Sequence, residues 1–353
     1  MNHKKNIIKT LVELGRFLEQ FTSEIPKINK TVLHNDLFFD GFKHQLKLAQ
    51  EHNGWFTKEN VCFALKQWSS LLQEEALEQW LASYSSPTKN PKKIAIIMAG
   101  NIPLVGFHDF LSALVCGHNI CIKQSSNDKH LLPFLAAYIM HINPRLKGSI
   151  EFSQQQLKTF DAVIATGSDN TARYFEYYFK DKPSIIRKNR NSIAVLTGKE
   201  TAANLEGLAE DIFRYYGLGC RSVSKLFIPK EYNFDAFFNA MYDWHPIMNS
   251  AKYANNYDYN KAVYLMSEFD MLENGFLMLK EDTHYASPIA TLFYEFYDDI
   301  ETLKTKIQKD SAQIQCIVSH DFLANEVDFG TTQLPKLNDY ADQKDTVDFL
   351  LKI

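Results

Sequence analysis

From Lys93 to Leu196 the chain alternates short, continuous apolar runs with stretches of helical period, and this limits the fold more than any other feature. The runs are Lys93-Ile-Ala-Ile-Ile-Met-Ala99, Asn119-Ile-Cys-Ile-Lys123, Phe160-Asp-Ala-Val-Ile-Ala-Thr166 and Ser192-Ile-Ala-Val-Leu196. Strands that read as apolar throughout, without polar alternation, are covered on both faces. Helical stretches at Lys129–Ile142 and Thr171–Phe179 lie between them. A parallel pair needs a crossover of helix length, so repeated strand, helix, strand units imply a parallel sheet under helices. The fold class expected is α/β, with a Rossmann-type sheet followed by a second α/β domain. Residues 1–198 would form N-terminal helices and a nucleotide-binding domain, and 199–353 a catalytic domain with a C-terminal tail.

Ahead of the sheet, Ile7, Leu11, Leu14, Phe17, Leu18 and Phe21 recur at helical spacing, as do Val61, Phe63, Leu65, Trp68, Leu71, Leu72 and Leu77 between Thr57 and Tyr84. Ser85–Pro91 reads as a loop from its Ser, Pro and Asn content. A length of 353 residues suits two cores. The net charge of −4 and the pairs Lys4-Lys5 and Lys92-Lys93 as the longest basic runs argue against nucleic acid. Five cysteines, at 62, 116, 121, 220 and 316, suggest neither a disulfide framework nor a zinc site, and no metal is expected. The N-terminus has no signal-peptide pattern, and no run reaches the ~20 apolar residues of a spanning helix. A cytoplasmic protein, not integral to a membrane, is expected.

Four stretches carry chemistry. Tyr215-Tyr-Gly-Leu-Gly-Cys-Arg-Ser-Val-Ser-Lys-Leu-Phe-Ile-Pro229 sets Cys220 after Gly217 and Gly219 and before an apolar strand, as a presented nucleophile requires, with Arg221 as a cation that favours thiolate. Taken alone, the same pattern also describes a turn with a bystander thiol. Gly100-Asn101-Ile-Pro103 places an amide at a strand's carboxyl end, where it can serve a developing oxyanion or cap the helix expected near Pro103. Lys123 emerges where the second strand ends, ahead of Gln124-Ser-Ser126. Ala165-Thr166-Gly167-Ser168 runs directly into a helix and offers backbone N–H groups to an anion. Neither G-x-G-x-x-G nor G-x-x-x-x-G-K-[ST] occurs. Tyr242, Tyr253, Tyr257, Tyr259 and Tyr264, with Trp244, form either an aromatic wall for an apolar substrate or ordinary core.

In order and spacing these pieces resemble the aldehyde dehydrogenase superfamily. Gly100-Asn-Ile-Pro-Leu-Val-Gly-Phe-His108, Tyr216-Gly-Leu-Gly-Cys-Arg-Ser-Val-Ser-Lys225 and Leu337-Asn-Asp-Tyr-Ala-Asp342 are similar to its long-chain acyl-CoA reductase (LuxC) branch. The resemblance implies an aldehyde-dehydrogenase-like fold and the NAD(P)H-dependent reduction of a fatty acyl thioester to the aldehyde through an acyl-cysteine. Cys220 would be the nucleophile and Asn101, with the Cys220 N–H, the oxyanion hole. Lys123 and Ser126 would meet the adenosine ribose, and Thr166, Gly167 and Ser168 the pyrophosphate. The general-base glutamate of the aldehyde-oxidising members falls in Ile186-Arg-Lys-Asn-Arg190, which has no carboxylate, and the later acidic position on the nicotinamide ribose is His284. A missing base suits a reductase, which must not activate water. Ser126, where NAD-preferring relatives carry a glutamate, favours NADPH, with NADH as the alternative. The substrate would be acyl-CoA or an acyl carrier protein, in a complex with acyl-activating or acyl-transferring enzymes. Two other classes stay open: a cysteine-dependent acyltransferase or thioesterase without redox chemistry, and a catalytically inert interaction protein.

Overall fold

A computed structural model describes residues 2–85, 87, 88 and 90–353. Ser86 and Lys89, within the expected Ser85–Pro91 loop, lie outside the described residues. The chain forms two compact units, residues 1–188 with 336–353, and residues 189–335.

The first unit opens with α1 (Asn2–Glu19), α2 (Asn35–His52), α3 (Lys58–Leu71) and α4 (Glu74–Leu81). The apolar stripe of α1 enters the core: Leu11, Leu14, Phe17 and Leu18 have no exposed surface. Thr57 caps α3 by accepting from Asn60 N, and the single period expected over Thr57–Tyr84 is broken into two helices at Leu72–Gln73. Alternation follows through β1 (Lys93–Ile97), α5 (Phe107–Cys116), β2 (Asn119–Lys123), α6 (Leu131–Ile142), β3 (Ile150–Phe152), β4 (Ala162–Thr166), α7 (Asp169–Tyr178) and β5 (Ser184–Arg187). The sheet is parallel throughout, in the order β3-β2-β1-β4-β5. The chain runs outward from β1 through β2 to β3, then returns to place β4 on the other side of β1. Loops leaving the carboxyl ends of β1 and β4 therefore diverge, which opens the crevice where such sheets take ligands.

The second unit holds β6 (Asn191–Val195), α8 (Ala202–Phe213), β7 (Val223–Pro229), α9 (Phe234–Met241), α10 (Ala251–Met266), β8 (Met271–Glu273), β9 (Met278–Glu281), β10 (Thr291–Tyr297), α11 (Ile300–Lys309) and β11 (Ile314–Val318). Its sheet, β11-β6-β7-β10-β9-β8, is parallel except for the antiparallel β8–β9 pair. Tyr253, Tyr257 and Tyr264 are buried along α10, so that part of the tyrosine-rich stretch is core, while Tyr242 and Tyr259 are exposed.

Two features depart from the expected 1–198 and 199–353 division. The Ser192–Leu196 run pairs with β7 and β11, so it belongs to the second sheet. The last stretch, with α12 (Thr346–Leu351), returns to the first unit. There Arg187 pairs with Asp109 at 2.6 Å and donates to Ala341 O (2.7 Å) and Thr346 Oγ1 (3.0 Å), while His118 Nε2 meets Leu350 O at 2.9 Å. Among the described residues no helix is long and apolar enough to cross a membrane.

Candidate active site

In the second unit α8 stops at Phe213, because Tyr215 (φ 56°), Tyr216 (φ 58°) and Gly217 (φ 72°) turn left-handed in succession. Only the glycine adopts that conformation freely; each tyrosine costs about 1–2 kcal/mol. Burial of the Tyr215 side chain and a ring contact from Tyr216 to Tyr253 (6.0 Å between centroids) offset it. Cys220 follows, and its side chain is exposed, whereas Cys116, Cys121 and Cys316 are buried and Cys62 is half-buried.

Side chains from distant stretches hold this turn. Ser192, fully buried on β6, donates from Oγ to the Cys220 carbonyl (2.9 Å) and accepts from Cys316 N (3.2 Å). Arg221, expected as a cation for the thiol, directs Nη1 to Cys316 Sγ (3.3 Å) and Thr332 O (3.5 Å). Gln333 donates to Ser222 Oγ at 3.2 Å. The 330–333 segment is anchored by Asp211 on the buried face of α8, whose carboxylate accepts from Gly330 N (2.7 Å), Thr332 N (2.9 Å) and Thr332 Oγ1 (2.8 Å). Burial pushes the Asp211 carboxyl up to about 6. A Cβ at Gly207 would stand 2.9 Å from the backbone of Phe329, so the glycine lets this segment lie against α8.

Behind the turn, Lys225 is fully buried on β7, bonded to Glu295 Oε2 (2.8 Å) and Asp282 O (2.5 Å). Burial lowers its pKa, and the Glu295 carboxylate opposes that shift. Glu295 also pairs with Lys306. Ser224 Oγ donates to Tyr285 O at 2.7 Å, which ties the His284 segment to β7. His284 is exposed, with Nδ1 2.6 Å from Asp282 Oδ1. Burial alone would raise Asp282, but hydrogen bonds from Lys280 and His284 hold it well below the usual carboxylate range. An acid thus stands two residues before the histidine.

The first unit gathers the other expected residues at the carboxyl ends of three adjacent strands: Asn101 after β1, Lys123 and Ser126 at the end of β2, and Thr166, Gly167 and Ser168 after β4. At Gly100 a Cβ would lie 2.7 Å from Ser125 Cβ and Oγ and 3.1 Å from Asp128 N, so only glycine lets the two loops touch. The helix expected near Pro103 starts at Phe107 instead. Between them Leu104 turns left-handed (φ 58°), and its N–H donates to Asp128 Oδ2 at 3.0 Å. Asp128 is buried, its carboxyl pushed up to about 6, and its Oδ1 has no hydrogen-bond partner. After β4, a Cβ at Gly167 would fall 2.9 Å from Thr171, and Ser168 caps α7 with Oγ accepting from Thr171 N. In the Ile186–Arg190 segment, Arg187 is the buried partner of Asp109.

Sequence reasoning missed Ser192, Asp211, Gln333 and Asp128. Only Asp211 left a signal, a carboxylate on the Leu205, Leu208, Ile212 face of a helix. Among the described residues no group of three or more His, Cys, Asp or Glu side chains could hold a metal.

A model of the acyl-CoA reductase (LuxC) family matches residues 24–240, more than half of the chain. A long-chain acyl-protein thioester reductase of Aliivibrio fischeri is 25% identical over 227 residues, 58% of this chain and 47% of that protein. The chain therefore spans about half the length of the curated relative it matches. Among solved structures it is similar to aldehyde dehydrogenase 21 of Physcomitrella patens in complex with the reaction product succinate (TM-score 0.62, 12% identity, 91% of this chain and 79% of that one). An oxidoreductase from Marinobacter aquaeolei gives a TM-score of 0.63 at 11% identity, over 89% of this chain and 73% of that one. An indole-3-acetaldehyde dehydrogenase complexed with NAD+ gives 0.62 at 12%, over 88% and 71%. At such identities the likeness establishes the fold, that of the aldehyde dehydrogenases.

Proposed function

The chain belongs to the acyl-CoA reductase (LuxC) family, and from that premise we propose that it reduces a fatty acyl thioester to the aldehyde through an acyl group on Cys220, with NADPH as reductant. The observation that carries the reading is the Cys220 turn: an exposed thiol on a strained backbone, its carbonyl fixed by the buried Ser192 hydroxyl. A nucleophile needs exposure and fixed aim together.

The Cys220 thiolate attacks the acyl carbonyl; a carbon–sulfur bond forms, and the backbone N–H of Cys220 donates to the oxyanion. Collapse breaks the bond to the donor's sulfur, and CoA or the carrier thiol leaves with a proton from solvent. NADPH, when held at the strand ends of the first unit, would supply the hydride that reduces the acyl group. Cys220 then departs as thiolate and the aldehyde is released.

The residues at the strand ends of the first unit fit the adenosine half of such a cofactor. They border a topological switch point, the β4 turn is glycine where it enters α7, and Lys123 and Ser126 leave the ribose side without a carboxylate. Lys123 and Ser126 would hold the ribose, and Thr166, Gly167 and Ser168 the pyrophosphate. NADPH oxidation that depends on added acyl-CoA or acyl carrier protein, with a higher kcat/KM than for NADH, is the expected result. Acyl-CoA alone should release about one equivalent of CoA per chain in a burst, because the Ile186–Arg190 segment brings no base to activate water. Steady CoA release and free fatty acid without NADPH would overturn the reductase and favour a thioesterase.

A further inference from the structure

We propose that His52 and His130 form an anion site for the ribose 2′-phosphate of NADPH. The proposal rests on the reading that Lys123 and Ser126 meet the adenosine ribose. His52 is the last residue of α2, a helix that precedes the nucleotide-binding sheet by some forty residues of sequence, and it is exposed. Its Nε2 lies 2.6 Å from the Ser126 carbonyl oxygen. A carbonyl only accepts, so Nε2 carries a hydrogen and donates. The next residue, Asn53, donates from Nδ2 to Asn127 O at 3.3 Å. The end of α2 thus grips two successive carbonyls of the loop after β2. The His130 ring stands edge-on to His52, 5.5 Å between centroids.

The charges around this loop are mostly positive. Lys123 ends β2, Lys129 precedes His130, and both histidines gain a second N–H donor on protonation. Of the carboxylates nearby, Glu51 is shared with Lys47 at 3.6 Å. Asp128 is buried, held by Leu104 N and raised toward neutrality. His130 is held below the ordinary histidine value by burial, then by the charges of His52 and Lys129. A dianion beside the two rings relieves that repulsion and favours the protonated His130, while the 2′-hydroxyl of NADH does neither. Affinity for the phosphate should therefore rise as pH falls.

Calorimetry on the full chain with 2′,5′-ADP and with 5′-AMP tests this without turnover. We expect 2′,5′-ADP to bind about tenfold more tightly than 5′-AMP at mildly acid pH, with the advantage shrinking as the histidines lose their protons. The double variant His52→Gln/His130→Gln should lose most of the advantage and all of its pH dependence while keeping its 5′-AMP affinity. Gln at 52 retains a donor for the Ser126 carbonyl, and His130→Gln alone, which leaves that bond intact, should give an intermediate loss. An advantage that survives the double variant with its pH slope unchanged would overturn the histidine site and leave the cofactor reading standing. Failure of the wild-type chain to bind either nucleotide would overturn the cofactor reading and the histidine site together.

Discussion

The turn that presents Cys220 and the loops after β1, β2 and β4 are supported in different ways. Around Cys220 the supporting groups come from Ser192, Asp211, Cys316 and Thr332–Gln333, on three elements and a loop spread over more than a hundred residues of sequence. The strand-end loops are held mostly over shorter spans, Gly100 against Ser125, Leu104 on Asp128 and Gly167 on Thr171, with His52 and Asn53 on the loop after β2 as the long-range exception. A position that only has to border a crevice can be set by where a strand stops. A nucleophile presented just after a run of left-handed backbone at Tyr215–Gly217 needs partners that arrive from elsewhere, because the local chain alone would relax.

The most severe break in that contrast is at the thiol itself. Cys220→Ala should lower acyl-thioester reduction by about 10³-fold or more, while Cys62→Ala and Cys116→Ala, at sites away from the turn, keep most of the rate; steady-state assays of the three variants decide. A nearly active Cys220→Ala enzyme would mean that the turn has no chemical role. Next is the buried cation behind the turn. Lys225→Ala strands Glu295 with only Lys306 and should cost about 3 kcal/mol in urea unfolding, whereas Lys306→Ala, at the exposed side, should cost under about 1 kcal/mol.

The local side of the contrast is tested at Gly100. A methyl there meets Ser125 Cβ and the backbone of Asp128, so Gly100→Ala should cost about 2 kcal/mol and raise KM for the cofactor as the two loops are pushed apart. Stability and KM both unchanged would show the contact to be soft. The smallest effect concerns Asp211, whose carboxyl is moved by burial from an ordinary 3.8 to about 6. Between those values the folded chain keeps a proton that the unfolded chain has released, so this contribution is complete below 3.8 and is lost as pH rises through about 6. Asp211→Asn does not titrate, and wild type should lose about 2 kcal/mol relative to it between about pH 4 and about pH 7 in urea titrations. A constant gap between the two would mean that the carboxylate is already charged at low pH and that its three donors outweigh burial.

This contrast also explains what could be read in advance. The five residues from Lys93 to Ile97, apolar after the first, can only be a covered strand, and the glycine or amide at a strand's end marks a loop that something approaches; these are local patterns. The left-handed Tyr215 and Tyr216 carry no such mark, since tyrosine has no preference for that backbone and is held there by burial. Ser192 looks like any strand serine until β6 pairs with β7 and β11 on either side and turns its hydroxyl toward the Cys220 carbonyl. Arg221 has partners that adjacency in sequence did not suggest: its guanidinium also reaches Cys316 Sγ and Thr332 O, both far along the chain. The α2 helix was not foreseen at all, because its buried set is only Asn35, Phe42 and Ala49.

Residues 189–335 intervene between the first unit's fifth strand and its closing helix α12. During synthesis on a ribosome the first sheet emerges well before Thr346, so Arg187 and Asp109 must wait, without the hydroxyl and the carbonyl that complete their pairing, while about 150 further residues are translated and begin to fold. The entropy of closing so long a loop grows only with the logarithm of its length, so the delay costs little in final stability. Its effect is on order: the unit that carries Cys220 can be assembled before the other is finished, and α12, which follows it along the chain, then completes the first unit.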